Sequence, residues 1–240
     1  MKWILCGKGG SGKSTVAALM ARAYEKAGRQ VLVVDSDESN FGLHRQLGLP
    51  LPEDFTHYFG HKKGIFRDGA EAVFEGGWHL EDLPEDYVSR DGAVRLMAIG
   101  KIHDAGEGCA CAMGALAKIF LEHLTLRENE VVIVDTEAGV EHMGRGVDQF
   151  ADAILMVADP SFESIQLSKK IGNMAKSIGK PFYIVLNKAD AQQREIMAQQ
   201  VDAGAILTSL PADNEILTAG LLGQPLTKSL PEIENILKIG

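Results

Sequence analysis

Five short apolar runs punctuate the chain without alternating: Trp3 to Cys6, Val31 to Val34, Val131 to Val134, Ile154 to Ala158 and Phe182 to Leu186. They are rich in β-branched residues and carry no polar position at every second residue. That is the pattern of strands covered on both faces, as in a parallel sheet. Arg95 to Ile99 and Ala205 to Leu207 are weaker runs of the same kind. Between the runs, apolar positions recur at helical spacing. Val16, Leu19, Met20, Ala23 and Ala27 line one face, and Gly28 ends it. Ile165, Ile171, Met174, Ala175 and Ile178 line another, followed by Gly179 and Pro181. A third period begins at Leu116 and continues through Ile119, Phe120, His123 and Leu124. Alternating strands and helices predict an α/β fold. The expected form is a doubly wound, mostly parallel sheet with helices on both faces and a ligand at the strand C-termini. Residues 49 to 93 break the pattern with Pro, Gly, His and acidic residues. They are expected to form an irregular excursion from a single domain spanning 1–240, anchored by Phe74 and Trp78.

The first run leads into Gly7-Lys8-Gly9-Gly10-Ser11-Gly12-Lys13-Ser14-Thr15. The frame Gly7-x-x-x-x-Gly12-Lys13-Ser14 fits the phosphate-binding loop at every fixed position, and it lies between a strand and a helix. Glycines let backbone N–H groups approach phosphates, and the helix N-terminus adds a positive dipole end. Lys13 is placed to neutralise the β- and γ-phosphates, and the Ser14 hydroxyl to ligate Mg²⁺. Lys8 is surplus to phosphate binding within one chain.

Three further pieces sit at strand ends in the expected order. Asp35-Ser36-Asp37 closes the second strand. Val131 to Val134 ends in Asp135, with Gly139 four residues on. Asp135 is suited to the Mg²⁺ shell, and Gly139 to a backbone N–H at the γ-phosphate. The last apolar run enters Asn187-Lys188-Ala189-Asp190, a base-reading turn. Its Asp matches the guanine-reading pattern, whereas Asn187 alone serves adenine.

Bulk properties narrow the setting. The chain has 240 residues, 45% hydrophobic and 24% charged, and a formal net charge of -9. That charge disfavours nucleic acid and anionic membranes as partners. The apolar runs are too short to span a bilayer. Pro231 to Gly240 carries Ile233, Ile236, Leu237 and Ile239 with one lysine, so no stable membrane anchor is expected. Three cysteines do not suggest a disulfide framework, and a cytoplasmic protein is expected.

Lys8 to Ser14, with Asp37 and Asp135-x-x-x-Gly139, resembles the deviant phosphate-loop (SIMIBI-class) ATPases. These include cell-division and plasmid-partitioning ATPases, the nitrogenase iron protein and arsenite-pump ATPases. The likeness covers nearly the whole chain, since Asn187 and Pro211-Ala212-Asp213 match the base-binding segments. It implies ATP as the nucleotide and a homodimer in which the lysine matching Lys8 reaches the partner's phosphates. It also implies that Asp37 orients the attacking water and that Asp35 lies near Mg²⁺.

Gly106-Glu107-Gly108-Cys109-Ala110-Cys111-Ala112-Met113-Gly114 is the second informative segment. Cysteines at i and i+2 cannot face one metal from a regular helix, but they can from an extended loop or a frayed helix start. Two thiolates do not complete a tetrahedral or square-planar site, whereas a two-fold dimer supplies four. The pair Cys109-x-Cys111 resembles the CooC type, nickel-insertion ATPases that mature carbon monoxide dehydrogenase. That likeness implies Ni²⁺ or Zn²⁺ bound by Cys109 and Cys111 at the dimer interface. It also implies an ATP-driven metallochaperone with carbon monoxide dehydrogenase or acetyl-CoA synthase as client. The alternatives are a spatial-positioning ATPase of the septum-site or plasmid-partition type, and an iron–sulfur electron donor. Cys6 is expected in the core and Met113 in packing. His57 and His61 are expected to be solvated, His103 carries no assigned role, and Lys62-Lys63 is a solvated pair or a partner contact.

Overall fold

A computed structural model describes residues 1–60, 73, 74, 76–102, 110–144 and 146–239. The strands are β1 Lys2–Cys6, β2 Gln30–Ser36, β3 Ser89–Asp91, β4 Val94–Ala98, β5 Glu130–Thr136, β6 Ala153–Ala158, β7 Phe182–Asn187 and β8 Ile206–Leu210. The helices are α1 Lys13–Lys26, α2 Leu43–Leu47, α3 Ala110–His123, α4 Glu141–Gly144, α5 Phe162–Ser177, α6 Ala191–Gln200, α7 Asn214–Leu222 and α8 Glu234–Leu237.

The strands form one sheet in the order β3-β4-β2-β5-β1-β6-β7-β8. All neighbours are parallel except β3 with β4. This is the fold the apolar runs predict. Their lack of alternation has a direct cause: successive side chains enter two different cores. Leu5, Val31, Val33 and Ile133 meet Val16, Met20 and Tyr24 of α1 on one face. Ile4, Leu32, Val34 and Val132 meet Leu116, Ala117 and Phe120 of α3 on the other. Beyond β1, Ile154, Met156 and Ile184 meet Ile171 and Ala175 of α5. Cys6 is fully buried there, and burial pushes its thiol above the usual range.

Two elements depart from the sequence expectation. β3 is a polar edge strand, Ser89-Arg90-Asp91, turned back onto β4 at Gly92. Its charge suits an unpaired edge but hides it from any apolar pattern. Helix α3 starts at Ala110, ahead of Leu116. Its early alanines favour helix but give little apolar contrast, so the period is invisible there. Within 49 to 93, some of the described residues pack onto the core. Phe55 and Phe74 are fully buried, Phe74 meets Trp78 at 4.7 Å, and Phe55 meets Phe120 of α3 at 5.8 Å.

Candidate functional site

The loop from β1 to α1 depends on two glycines. Gly7 has φ +146°, and a Cβ there would lie 2.4 Å from the Val157 carbonyl oxygen. Gly12 has φ +100°, and a Cβ would meet Asn187 Nδ2 at 2.4 Å. Gly12 is also the N-cap of α1, so no side chain competes for the first-turn N–H groups. Gly9 and Gly10 form the exposed rim, and Ser11 is buried. Lys13 is 6% exposed and opens α1, followed by Ser14 and Thr15.

The end of β7 braces this loop. Asn187 Nδ2 donates to the Ser11 carbonyl at 2.8 Å, and Lys188 Nζ donates to the Gly10 carbonyl at 2.8 Å. Asp190 caps α6, accepting from the Gln193 N–H at 2.8 Å. Pro211 is exposed after β8. Asp213 caps α7 through the Glu215 and Ile216 N–H groups and pairs with Lys228 at 2.7 Å. The Asp213 carboxylate is thus engaged within this chain.

Asp35 and Asp135 are register partners at the ends of β2 and β5. The Ser14 hydroxyl donates to Asp135 Oδ2 at 2.5 Å and accepts from Asn40 Nδ2 at 2.7 Å. Asp135 Oδ1 is buried without a hydrogen-bond partner among the described residues. Burial pushes the Asp135 carboxyl up to about 7, with the neighbouring Asp35 adding to the rise. Burial also raises Asp35, to about 6, against the pull of the Lys101 ammonium 2.7 Å away. An orphaned carboxylate oxygen beside a serine hydroxyl fits a divalent cation. Asp37 lies past the strand, its Oδ1 accepting from the Ser39 N–H and hydroxyl. The Gly139 N–H donates to the Gly7 carbonyl at 3.1 Å, so the two loops meet here.

Lys8 turns toward the end of β6. Its ammonium lies 3.1 Å from Asp159 Oδ2 and donates to the Ser161 hydroxyl at 3.0 Å. Burial works to raise the Asp159 carboxyl. Hydrogen bonds from Ser164, Ser161 and Lys8 outweigh it and hold the group below the usual carboxylate range. Within one chain, then, the Lys8 ammonium is anchored just past the end of β6.

Residues 3–226 match the model of the CobQ/CobB/MinD/ParA nucleotide binding domain. The chain belongs to this family. An uncharacterized ATP-binding protein of Methanocaldococcus jannaschii is 45% identical, covering 100% of this chain and 99% of that one. The carbon monoxide dehydrogenase accessory protein CooC of Rhodospirillum rubrum is 31% identical, covering 93% and 88%. Among solved structures, the septum site-determining protein MinD of Pyrococcus horikoshii, complexed with Mg-ADP, superposes with a TM-score of 0.71. It is 21% identical and covers 99% of this chain and 94% of its own.

In this family member, Cys111 is exposed in the first turn of α3. Cys109, His61, Lys62, Lys63 and His103 lie outside the described residues. His57 is exposed, while Met113 is buried beside Leu116 and Phe120. No group of three or more metal-ligating side chains occurs among the described residues. No helix there is long and apolar enough to cross a membrane.

Four site residues escaped the sequence reading: Asn40, Lys101, Asp159 and Ser161. Asp159 and Ser161 follow an apolar run, as Asp35 and Asp135 do, and that position was their available signal. Asn40 and Lys101 had none, because their partners lie far from them along the sequence: Ser14 for Asn40, and Asp35, Asp37 and Asn40 for Lys101.

Proposed function

We propose that this protein is a Mg-dependent ATPase that carries nickel as cargo, in one nucleotide-binding domain working as a homodimer in the cytoplasm. Lys13 and the α1 amides hold the phosphates, with Gly9 to Thr15 forming the cradle. Ser14 and Asp135 hold Mg²⁺, with Asp35 nearby, and the bound ion neutralises charge on the β- and γ-phosphates. Asp37 orients the attacking water. Asn187, Lys188 and the Pro211–Asp213 backbone frame the adenine. Lys8 exchanges Asp159 for the partner's phosphates when the dimer closes, and Gly139 exchanges the Gly7 carbonyl for the γ-phosphate. Cys109 and Cys111 from each chain hold Ni²⁺ or Zn²⁺, destined for carbon monoxide dehydrogenase or acetyl-CoA synthase.

The observation that carries this reading is the placement of Cys111. It is exposed in the first turn of a helix, where a thiol can reach a metal shared with a second chain. It also lies in a chain 31% identical to a carbon monoxide dehydrogenase accessory protein. Native mass spectra of anaerobically purified protein with Ni²⁺, with and without nucleotide, test it. The expected result is one nickel per two chains, lost in the Cys109→Ala/Cys111→Ala variant with ATP binding intact. A metal-free dimer that forms only with ATP transfers support to the spatial-positioning reading, for which the MinD likeness supplies the fold alone.

A further inference from the structure

Lys101 is 0% exposed, and a lysine is almost never buried so completely without partners that compensate its charge. Its ammonium lies 2.7 Å from Asp35 Oδ2. It also donates to the backbone carbonyls of Asp37 and Asn40, each at 2.6 Å. A buried ammonium has three N–H donors to satisfy, and the Asp35 carboxylate takes one of them. Here two of the bonds go to the backbone of the loop that carries Asp37. The aromatic ring of Phe41 lies 5.7 Å from the same ammonium.

The backbone around Lys101 is tied to that loop as well. The Ile99 N–H donates to the Asp35 carbonyl at 2.9 Å, and the Ile102 N–H to the Glu38 carbonyl at 3.1 Å. The Lys101 N–H is held by Asp54 Oδ2 at 3.0 Å. From the loop, the Asn40 side chain continues to the Ser14 hydroxyl, and Ser14 continues to Asp135. A chain of polar contacts thus runs from the end of β4 to the start of α1.

We propose that Lys101 is a positioning residue for the phosphate site. It sets the course of the loop Asp37–Asn40, and so the place of the Asp37 carboxylate, while balancing the charge of Asp35. The inference rests on the nucleotide-hydrolysis part of the function proposed above and not on the metal. The atom that does the positioning is Nζ, and the groups it acts through are the Asp37 and Asn40 carbonyls.

The test compares wild type with Lys101→Met in turnover, nucleotide affinity and amide hydrogen exchange, all with Mg-ADP or Mg-ATP. Misplacing a reacting group by about 1 Å costs about 100-fold in rate, so turnover should fall by about that factor with ADP affinity changed less than about 3-fold. Exchange across residues 37–42 should quicken by about 10-fold or more, with β1, β5 and β6 unchanged. A purely structural role predicts faster exchange across the whole sheet, and that result overturns the proposal, as does unchanged exchange in residues 37–42. Should Lys101→Met fail to fold, Lys101→Leu takes its place with the same readouts, since it too removes every N–H donor. A wild type that hydrolyses no ATP removes the ATPase reading yet leaves the exchange comparison in force. An active wild type matched by an equally active Lys101→Met removes the inference alone.

Discussion

Asp135, at the end of β5, and Asp159, just past β6, lie on the same edge of one sheet, yet they behave in opposite ways. Asp135 is fully buried, receives one hydroxyl, and keeps an oxygen without a protein partner. Its proton is held to about pH 7 by burial and by Asp35. Asp159 meets burial too, but two serine hydroxyls and the Lys8 ammonium converge on it and keep it ionised. The first is under-satisfied and suited to receive a cation; the second is saturated and suited to hold one of the protein's own. A strand-end position supplies a carboxylate at the ligand edge. The donors around it decide what that carboxylate does.

The largest expected effect tests the lysine that Asp159 holds. Lys8→Ala should lower ATP turnover by about 100-fold or more while nucleotide affinity stays within about 3-fold, because the charge acts on the transition state. Steady-state hydrolysis with parallel ADP titration measures both, and unchanged turnover removes the role of Lys8 in trans.

Asp135→Asn should come next. Loss of a ligand or its support weakens metal affinity by about 10- to 100-fold, so Mg²⁺-dependent ADP binding should drop by that order. The same substitution has an opposite effect on the empty protein. The Asp135 carboxyl rises from 3.8 to about 7 on folding, so between those values the native state binds more protons than the unfolded chain. Stability of the nucleotide-free protein therefore declines as pH rises through that window, and Asp35 adds a decline up to about 6. Asp135→Asn should flatten the upper part of the decline in thermal melts taken from pH 4 to pH 8.

Asp159→Asn should show the smallest change. The pair with Lys8 is partly exposed, at 33% and 19% for the two side chains, which places it at about 0.5–1 kcal/mol or less. Because the Asp159 carboxyl is lowered on folding, its contribution is full above the unfolded value of 3.8 and disappears as pH falls through the folded one. Melting temperatures of variant and wild type should differ slightly at pH 7 and converge in strong acid. A loss of turnover as deep as that of Lys8→Ala would break the contrast, since Asp159 would then be more than an anchor.

The sheet was largely legible because each central strand is apolar on both faces, so a run of four or five such residues reads unambiguously. β3 was not, since three polar residues on an edge bury nothing. The start of α3 was hidden by alanines that form helix without marking a face. At the site, the phosphate loop and the strand-end aspartates are local patterns. Lys101 is different in kind. It stands 64 positions from the Asp37 carbonyl and 61 from that of Asn40, and β4 brings it there by pairing beside β2. No spacing along one sequence records such a contact. Asn40 is hidden for the same reason, since its partner Ser14 belongs to another strand's loop.

The bracing of the phosphate loop by Asn187 has a consequence for how the molecule is made. β1 is translated before its sheet neighbours β5 and β6, which follow more than a hundred residues later. The amide that secures the Ser11 carbonyl comes later still, 176 positions downstream. A ribosome-bound chain that has not yet reached β5 carries the whole phosphate motif without the walls or the brace that shape it. Nucleotide affinity should thus emerge abruptly during synthesis, once β7 has cleared the ribosome. ATP would report that folding has finished rather than guide it.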